Sequence, residues 1–273
     1  MTGRIRILAA ALLLVCALGI GAIAEGVGAG EIVVFAAASM TETLETLKDM
    51  YEAEYPGVSI VYNFDSSGTL KTQIAEGADC DLFISAGQKQ MNQLDISAGP
   101  EVNAEGLDFV DADSRVNLLE NRVCLCVPDG NPKGIHSFDE LAAALRAGEV
   151  LFCMGNEDVP VGQYTQKILA YYGLDEAELA AGGSITYGSN VKEVTTQIAE
   201  ASVDAGVIYC TDACSAKLTV MDYATEAMCG RIIYPAAVLK TAGNPGAAGA
   251  FLDYLKTPEA MEVFAAVGFN APR

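Results

Sequence analysis

The chain has 273 residues, with one His and no Trp, and carries a formal net charge of −20. An acidic balance of that size repels nucleic acid and reads first as a solubility device. It leaves room for a small bound anion, because hydrogen-bond donors act at contact distance while remote charges are screened by salt.

The chain opens on an export pattern. Arg4 and Arg6 precede an apolar stretch from Ile7 to Val15, and Ala22-Ile23-Ala24 has the small-x-small form of a cleavage site. Gly19 and Gly21 interrupt the apolar run, which argues against a retained membrane span. The expected signal peptide is residues 1–24, with a mature chain from Glu25 that is two units more negative. The expected location is the periplasm or the outer face of the cytoplasmic membrane. Lipid attachment at Cys16 is the alternative. Leu13 suits it, but Val15 is large and the residues after the Cys are apolar, so plain export is favoured.

Seven of the eight Cys lie beyond that segment: Cys80, Cys124, Cys126, Cys153, Cys210, Cys214 and Cys229. The odd number leaves at least one thiol free or paired between chains, and export permits disulfides. Cys124 and Cys126 alternate along an expected strand and would share a face. Most of these Cys read as small buried hydrophobes. Cys210 and Cys214 are one helical turn apart, yet no His lies nearby and structural zinc sites show paired short spacings, so no metal is expected.

In chain order, a continuous apolar run predicts a strand over residues 31–38. Leu44, Leu47, Tyr51 and Tyr55 stand at helical spacing over 41–55, and Pro56-Gly57 stops that helix. A strand over 58–64, a short helix over 69–76 and a strand over 81–85 follow. Further strands are expected at 122–127, 150–154, 185–187, 205–210 and 232–239. Helices are expected at 137–147, opened by a Ser137/Glu140 capping box, and at 163–172, 191–201, 246–256 and 258–267. Parallel-type strands alternating with helices indicate an α/β fold, and about 250 mature residues suffice for two modest lobes.

Ligands of open α/β sheets bind at the carboxyl ends of strands, beside helix N-termini. Four such junctions carry small polar or Pro-containing turns: Ala36 to Ser39, Asp65 to Thr69, Asp158 to Gly162 and Gly188 to Val191. Each helix start leaves N–H groups without intrahelical partners, and several converging on one point hold an oxyanion without Arg or Lys. Ordinary readings stand beside this one. Ser39 with Glu42 has the form of a capping box, Ser67 that of an N-cap, Val161 and Val191 that of first-turn core residues, and Tyr209 that of packing at a strand end. Catalytic patterns are weak. His136 sits alone in a Pro/Gly-rich stretch, no G-x-S-x-G surrounds Ser39 or Ser67, and no Walker or dinucleotide loop occurs.

The same junctions carry a family resemblance. The runs Val33-Val-Phe-Ala-Ala-Ala-Ser39, Phe64-Asp-Ser-Ser-Gly-Thr-Leu70 and Gly77-Ala-Asp-Cys-Asp-Leu-Phe-Ile-Ser-Ala86 resemble periplasmic molybdate-binding proteins of ABC importers. So do Gly155-Asn-Glu-Asp-Val-Pro-Val-Gly-Gln-Tyr164, Ala205-Gly-Val-Ile-Tyr-Cys-Thr-Asp-Ala213, Tyr234-Pro235 and the segment from Phe251 to Phe269. The motifs occur in order over nearly the whole mature chain.

The resemblance implies the two-lobed type II periplasmic-binding fold, each lobe a mainly parallel sheet flanked by helices, with the ligand in the cleft. The chain would cross between lobes near Asn121 and Gly230, giving one lobe of 31–120 with 230–273 and another of 121–229. It implies capture of molybdate, and tungstate with it, for delivery to a permease driven by an ATPase subunit. No catalysis, cofactor or nucleic acid is implied, and a monomer is expected. The implied ligand residues are Ser39 and Ser67 as hydroxyl and backbone donors, Val161 and Val191 as backbone donors, and Tyr209 through its phenol. Such neutral donors favour a fully deprotonated oxyanion over a protonated phosphate, whose O–H would lack an acceptor.

Four positions depart from the family pattern. Asp65 stands beside Ser66 where a small neutral residue is expected, so its carboxylate should point away from the anion. Gly68 replaces a third hydroxyl, Val161 stands in place of Ala, and Cys210 follows Tyr209 in place of Gly. The alternatives to molybdate capture are a binding protein for sulfate or another oxyanion, an enzyme built on Cys210 or a Ser, and a sensory domain. The export signal and the lack of any signalling segment speak against the last.

Overall fold

The computed structural model describes residues 29–273; the expected signal peptide and Cys16 lie outside them. The chain runs β1 (Gly30–Ala37), α1 (Thr41–Glu54), β2 (Val58–Asp65), α2 (Ser67–Ala75), β3 (Leu82–Ile84), α3 (Gln88–Gln93) and β4 (Val116–Asn121). It continues with β5 (Val123–Val127), α4 (Phe138–Ala147), β6 (Phe152–Gly155), α5 (Pro160–Tyr171), α6 (Glu176–Ala181), β7 (Ile185–Gly188), α7 (Val191–Ala199), β8 (Ala205–Tyr209), α8 (Cys210–Ser215) and β9 (Thr219–Tyr223). Last come α9 (Glu226–Cys229), β10 (Ile232–Val238), α10 (Pro245–Tyr254) and α11 (Pro258–Ala266).

The strands form two five-stranded sheets, ordered β2-β1-β3-β10-β4 and β7-β6-β8-β5-β9. In the first, β1 pairs parallel with β2 and β3, while β10 runs antiparallel to both its neighbours. In the second, β6 pairs parallel with β7 and β8, and β5 is the antiparallel strand. Each sheet is thus mainly parallel with one reversed strand, and helices cover it, as the α/β reading expects. The reversed strand in each sheet is the one the chain enters on changing sheets: β4 to β5 through Arg122, and β9 to β10 through α9.

The inner strands of both sheets are apolar because both their faces are covered. Leu82, Phe83 and Ile84 of β3, the whole of β5 and the whole of β10 are buried. Thr41–Glu54 buries Leu44, Leu47 and Tyr51, the helical stripe visible in the sequence.

Boundaries differ where capping decides them. α5 begins at Pro160, three residues earlier than its apolar spacing suggests, because Pro suits the first helical position where an N–H is unused. α2 begins at Ser67 because Ser66, not Ser67, is its N-cap, accepting from the Thr69 N–H. Ser39 caps nothing: it lies in a 3-10 turn (Ala38–Met40) and its hydroxyl meets Tyr234 instead, so the Ser39/Glu42 capping box does not form. At α4, Ser137 accepts from Glu140 as expected, but Glu140 returns to the His136 N–H rather than to that of Ser137. β4, β9 and the short helices α3, α6, α8 and α9 have no element assigned to them in the sequence reading. Each is six residues or fewer, too short for a period to register.

Candidate functional site

Strand ends β1, β2 and β8 and the starts of α2, α5 and α7 meet in one cleft between the sheets. Ser39, Ser67, Val191 and Tyr209 line it, together with Pro160 and Ala86. Val161 is not among the lining residues, but follows Pro160, which is. The cleft encloses at most about 200 Å³, counting space open to solvent. A space of that size leaves no room for a drug-sized molecule.

Local capping explains which N–H groups face the cleft. In α7 the Asn190 carboxamide oxygen accepts from Lys192 and Glu193, the second and third helical positions. Glu193 reaches back to the Ser189 N–H at 2.7 Å. That leaves the Val191 N–H, the first of the helix, as the donor without a cap. In α2 the Ser66 hydroxyl takes the third N–H, leaving those of Ser67 and Gly68. In α5 no side chain caps the helix and Pro160 has no N–H, so Val161 and Gly162 carry the first free donors. Gly162 is required here by packing: a Cβ would stand 2.3 Å from the carbonyl oxygens of both Asn156 and Gly155. Three helix starts, each with a partial positive charge, therefore border one small space.

The side-chain donors are held from behind. Ser67 is fully buried, and its Oγ accepts from the Ala86 N–H at 2.9 Å, which directs the hydroxyl proton elsewhere. Ser39 Oγ and Tyr234 Oη lie 2.9 Å apart, and Asn121 donates to that phenol at 3.1 Å and to Thr211 Oγ1 at 3.0 Å. Asn121 ends β4 of the first sheet and Thr211 lies in α8 beside the second, so one buried carboxamide ties both halves behind the site. No motif in the sequence singled it out. Tyr209 is buried, and burial drives its phenol well above the ordinary value, with Tyr234 and Tyr164 adding to the effect. It stays a neutral donor at any physiological pH. Its hydroxyl donates to the Ala86 carbonyl at 3.4 Å, a long bond from which it is readily drawn.

No Lys, Arg or His lines the cleft among the described residues. Among these, Asp65 is the one acidic residue along its wall. Its Oδ1 accepts the adjacent Ser66 N–H at 2.7 Å and approaches Asn190 Nδ2 at 3.5 Å, a local bond that shapes the turn into α2. Lys192, next to Val191 in sequence, is engaged by carboxylates. Lys192 Nζ reaches across to Glu42 of α1 at 2.7 and 2.8 Å and lies 3.3 Å from Asp212.

The remaining candidates lie apart from this constellation. His136 is exposed before α4. Cys210 is 9% exposed at the start of α8, and the hydrogen bond from Cys124 lowers its thiol, with Arg122 assisting. Cys124 and Cys126 do share a face of β5, their sulfurs 3.8 Å apart. All seven described Cys are unpaired thiols, and only Cys214 is exposed.

Residues 32–270 match the sequence profile of bacterial extracellular solute-binding proteins. YvgL of Bacillus subtilis is 33% identical over 242 residues, covering 88% of this chain and 86% of its own length. The molybdate-binding protein ModA of Escherichia coli is 30% identical over 244 residues, 88% of this chain and 89% of its own. The periplasmic molybdate-binding protein of Azotobacter vinelandii shares the fold with a TM-score of 0.74 at 21% identity, over 89% of this chain and all of that one. With the match spanning both sheets and the cleft between them, the chain belongs to the bacterial extracellular solute-binding protein family.

Proposed function

We propose that this protein captures molybdate, and tungstate with it, outside the cytoplasm and delivers it to the permease of an ABC importer driven by an ATPase subunit. The observation that carries the reading is the cleft itself: neutral donors at three helix starts, with no basic side chain, around one small space. The ligand shell is Ser39 and Ser67 from one lobe and Val161, Val191 and Tyr209 from the other. A hydrogen bond to a charged group contributes about 1.5–3 kcal/mol. Five of them leave a net affinity in the micromolar to nanomolar range after desolvation and ordering.

The lobes are residues 31–120 with 230–273, and residues 121–229, and they close on the anion by a hinge. The protein works as a monomer and catalyses nothing: among the described residues no His or Lys adjoins Cys210 in sequence, and the cleft holds hydroxyls with no His to activate them. Export by the segment 1–24, without an anchor, fits its composition. The name of YvgL includes the word lipoprotein, so mass spectrometry of the exported chain decides between cleavage near Glu25 and lipid at Cys16.

Calorimetric titration of the mature chain with molybdate, tungstate, sulfate and phosphate at neutral pH tests the reading. Tight one-to-one binding of the first two, with the others silent, is expected. Sulfate binding alone would keep the site and change its ligand. Silence from all four in a folded, ligand-free sample would overturn the oxyanion reading.

A further inference from the structure

The two lobes touch at a point outside the proposed ligand shell. Gly68 is the second residue of α2, next to Ser67, and faces the turn that leads into α5 on the other lobe. A Cβ added at Gly68 would stand 2.2 Å from the carbonyl oxygen of Asp158, 2.9 Å from its carbonyl carbon and 2.9 Å from its Cβ. The nearest of these are backbone atoms, which cannot rotate aside as a side-chain tip can. The backbone of Gly68 has no left-handed torsion, so conformation does not demand Gly here. Only the approach of the opposite lobe does.

We propose that Gly68 is the residue that sets how far the cleft closes, and through closure the affinity for the anion. The inference rests on the anion-capture reading above. Gly68 is a positioning residue: it need not touch the ligand. Any side chain there holds the Asp158 turn about 1 Å or more farther from α2 before ordinary contact is restored. Asp158 precedes Val161 by three residues, and Gly68 follows Ser67. The displacement therefore falls on the distance between donors of opposite lobes. A hydrogen bond near 2.9 Å stretched by that amount is no longer one. The anion keeps the donors of one lobe and loses at least one from the other.

The test is Gly68→Ala in the full mature chain, titrated with molybdate beside the wild type, with small-angle scattering of both in saturating molybdate and thermal melting of both without it. An affinity at least about tenfold weaker, the loss of one charged hydrogen bond, is expected. It should come with a larger radius of gyration in the loaded state and an unchanged melting temperature without anion, because separated lobes leave room for the methyl group. Gly68→Val should carry the loss further. Equal affinity and equal compaction of Gly68→Ala and wild type overturn the inference. So does a variant whose anion-free melting temperature falls in step with its affinity, since that marks packing within one lobe. Wild type that binds no oxyanion overturns the anion reading itself, a result distinct from wild-type binding with an indifferent variant.

Discussion

Asp212 is buried in α8, and Lys192 Nζ stands 3.3 Å from its Oδ1. Burial raises its pKa to about 6; Lys192 of α7 opposes the rise, and Glu42 of α1 adds to it. The unfolded chain releases this proton near pH 4, whereas the folded chain holds it to about 6. In that window the folded state binds more protons, so stability falls as pH rises, and above about 6 the full cost is present. Each pH unit between the two values corresponds to about 1.4 kcal/mol, so the cost approaches 3 kcal/mol. Asp212→Asn removes the titration while keeping the volume. Urea denaturation of both proteins in the anion-free state, from pH 4.5 to 8, isolates the effect. The variant's stability relative to wild type should climb by about 2 kcal/mol from pH 4.5 to pH 8, the rest of the cost falling below the range of the assay. A constant offset from new amide contacts does not affect that slope. A difference that is flat with pH, or that falls toward alkaline pH, would refute the assignment of a strained buried carboxylate.

Three further outcomes are expected. Glu42→Gln removes the cross-lobe partner of Lys192; both groups are partly exposed, so molybdate affinity should fall only about threefold at low salt and not at all in 1 M NaCl. Gly162→Ala should destabilise the fold by about 1–3 kcal/mol in denaturant, because its Cβ meets two backbone carbonyl oxygens at 2.3 Å. Tyr209→Phe should weaken molybdate binding about tenfold in calorimetry while leaving the melting temperature of the anion-free protein nearly unchanged, since the bond it loses there is the long one to Ala86.

The alternation of strands and helices was legible because burial on both faces writes continuous apolar runs such as Val33 to Ala38 and a helical stripe such as Leu44, Leu47 and Tyr51. The expected ligand residues came from a different source. Val161 and Val191 have side chains that say nothing about their N–H groups, and only resemblance to a family points to them. Three-dimensional relations stayed hidden. Ser39 and Glu42 have the spacing of a capping box, yet tertiary partners claim both: Tyr234 takes the hydroxyl and Lys192 the carboxylate. Asp65 looked ill-placed for an anion site, and its local bond to Ser66 is a turn effect that composition does not reveal. Asn121 at the crossing, and the approach of Asp158 to Gly68, join residues 90 positions apart and cannot be read from either neighbourhood alone.

The central claim is that backbone and hydroxyl donors of both lobes hold a molybdenum oxyanion with no basic side chain. A crystal structure of the molybdate-loaded protein, with the metal located by anomalous scattering, tests it most directly. One peak is predicted, within contact of Ser39, Ser67, Val161, Val191 and Tyr209 and out of reach of Lys192. A peak held by Lys or Arg side chains, or one outside this cleft, would contradict the account.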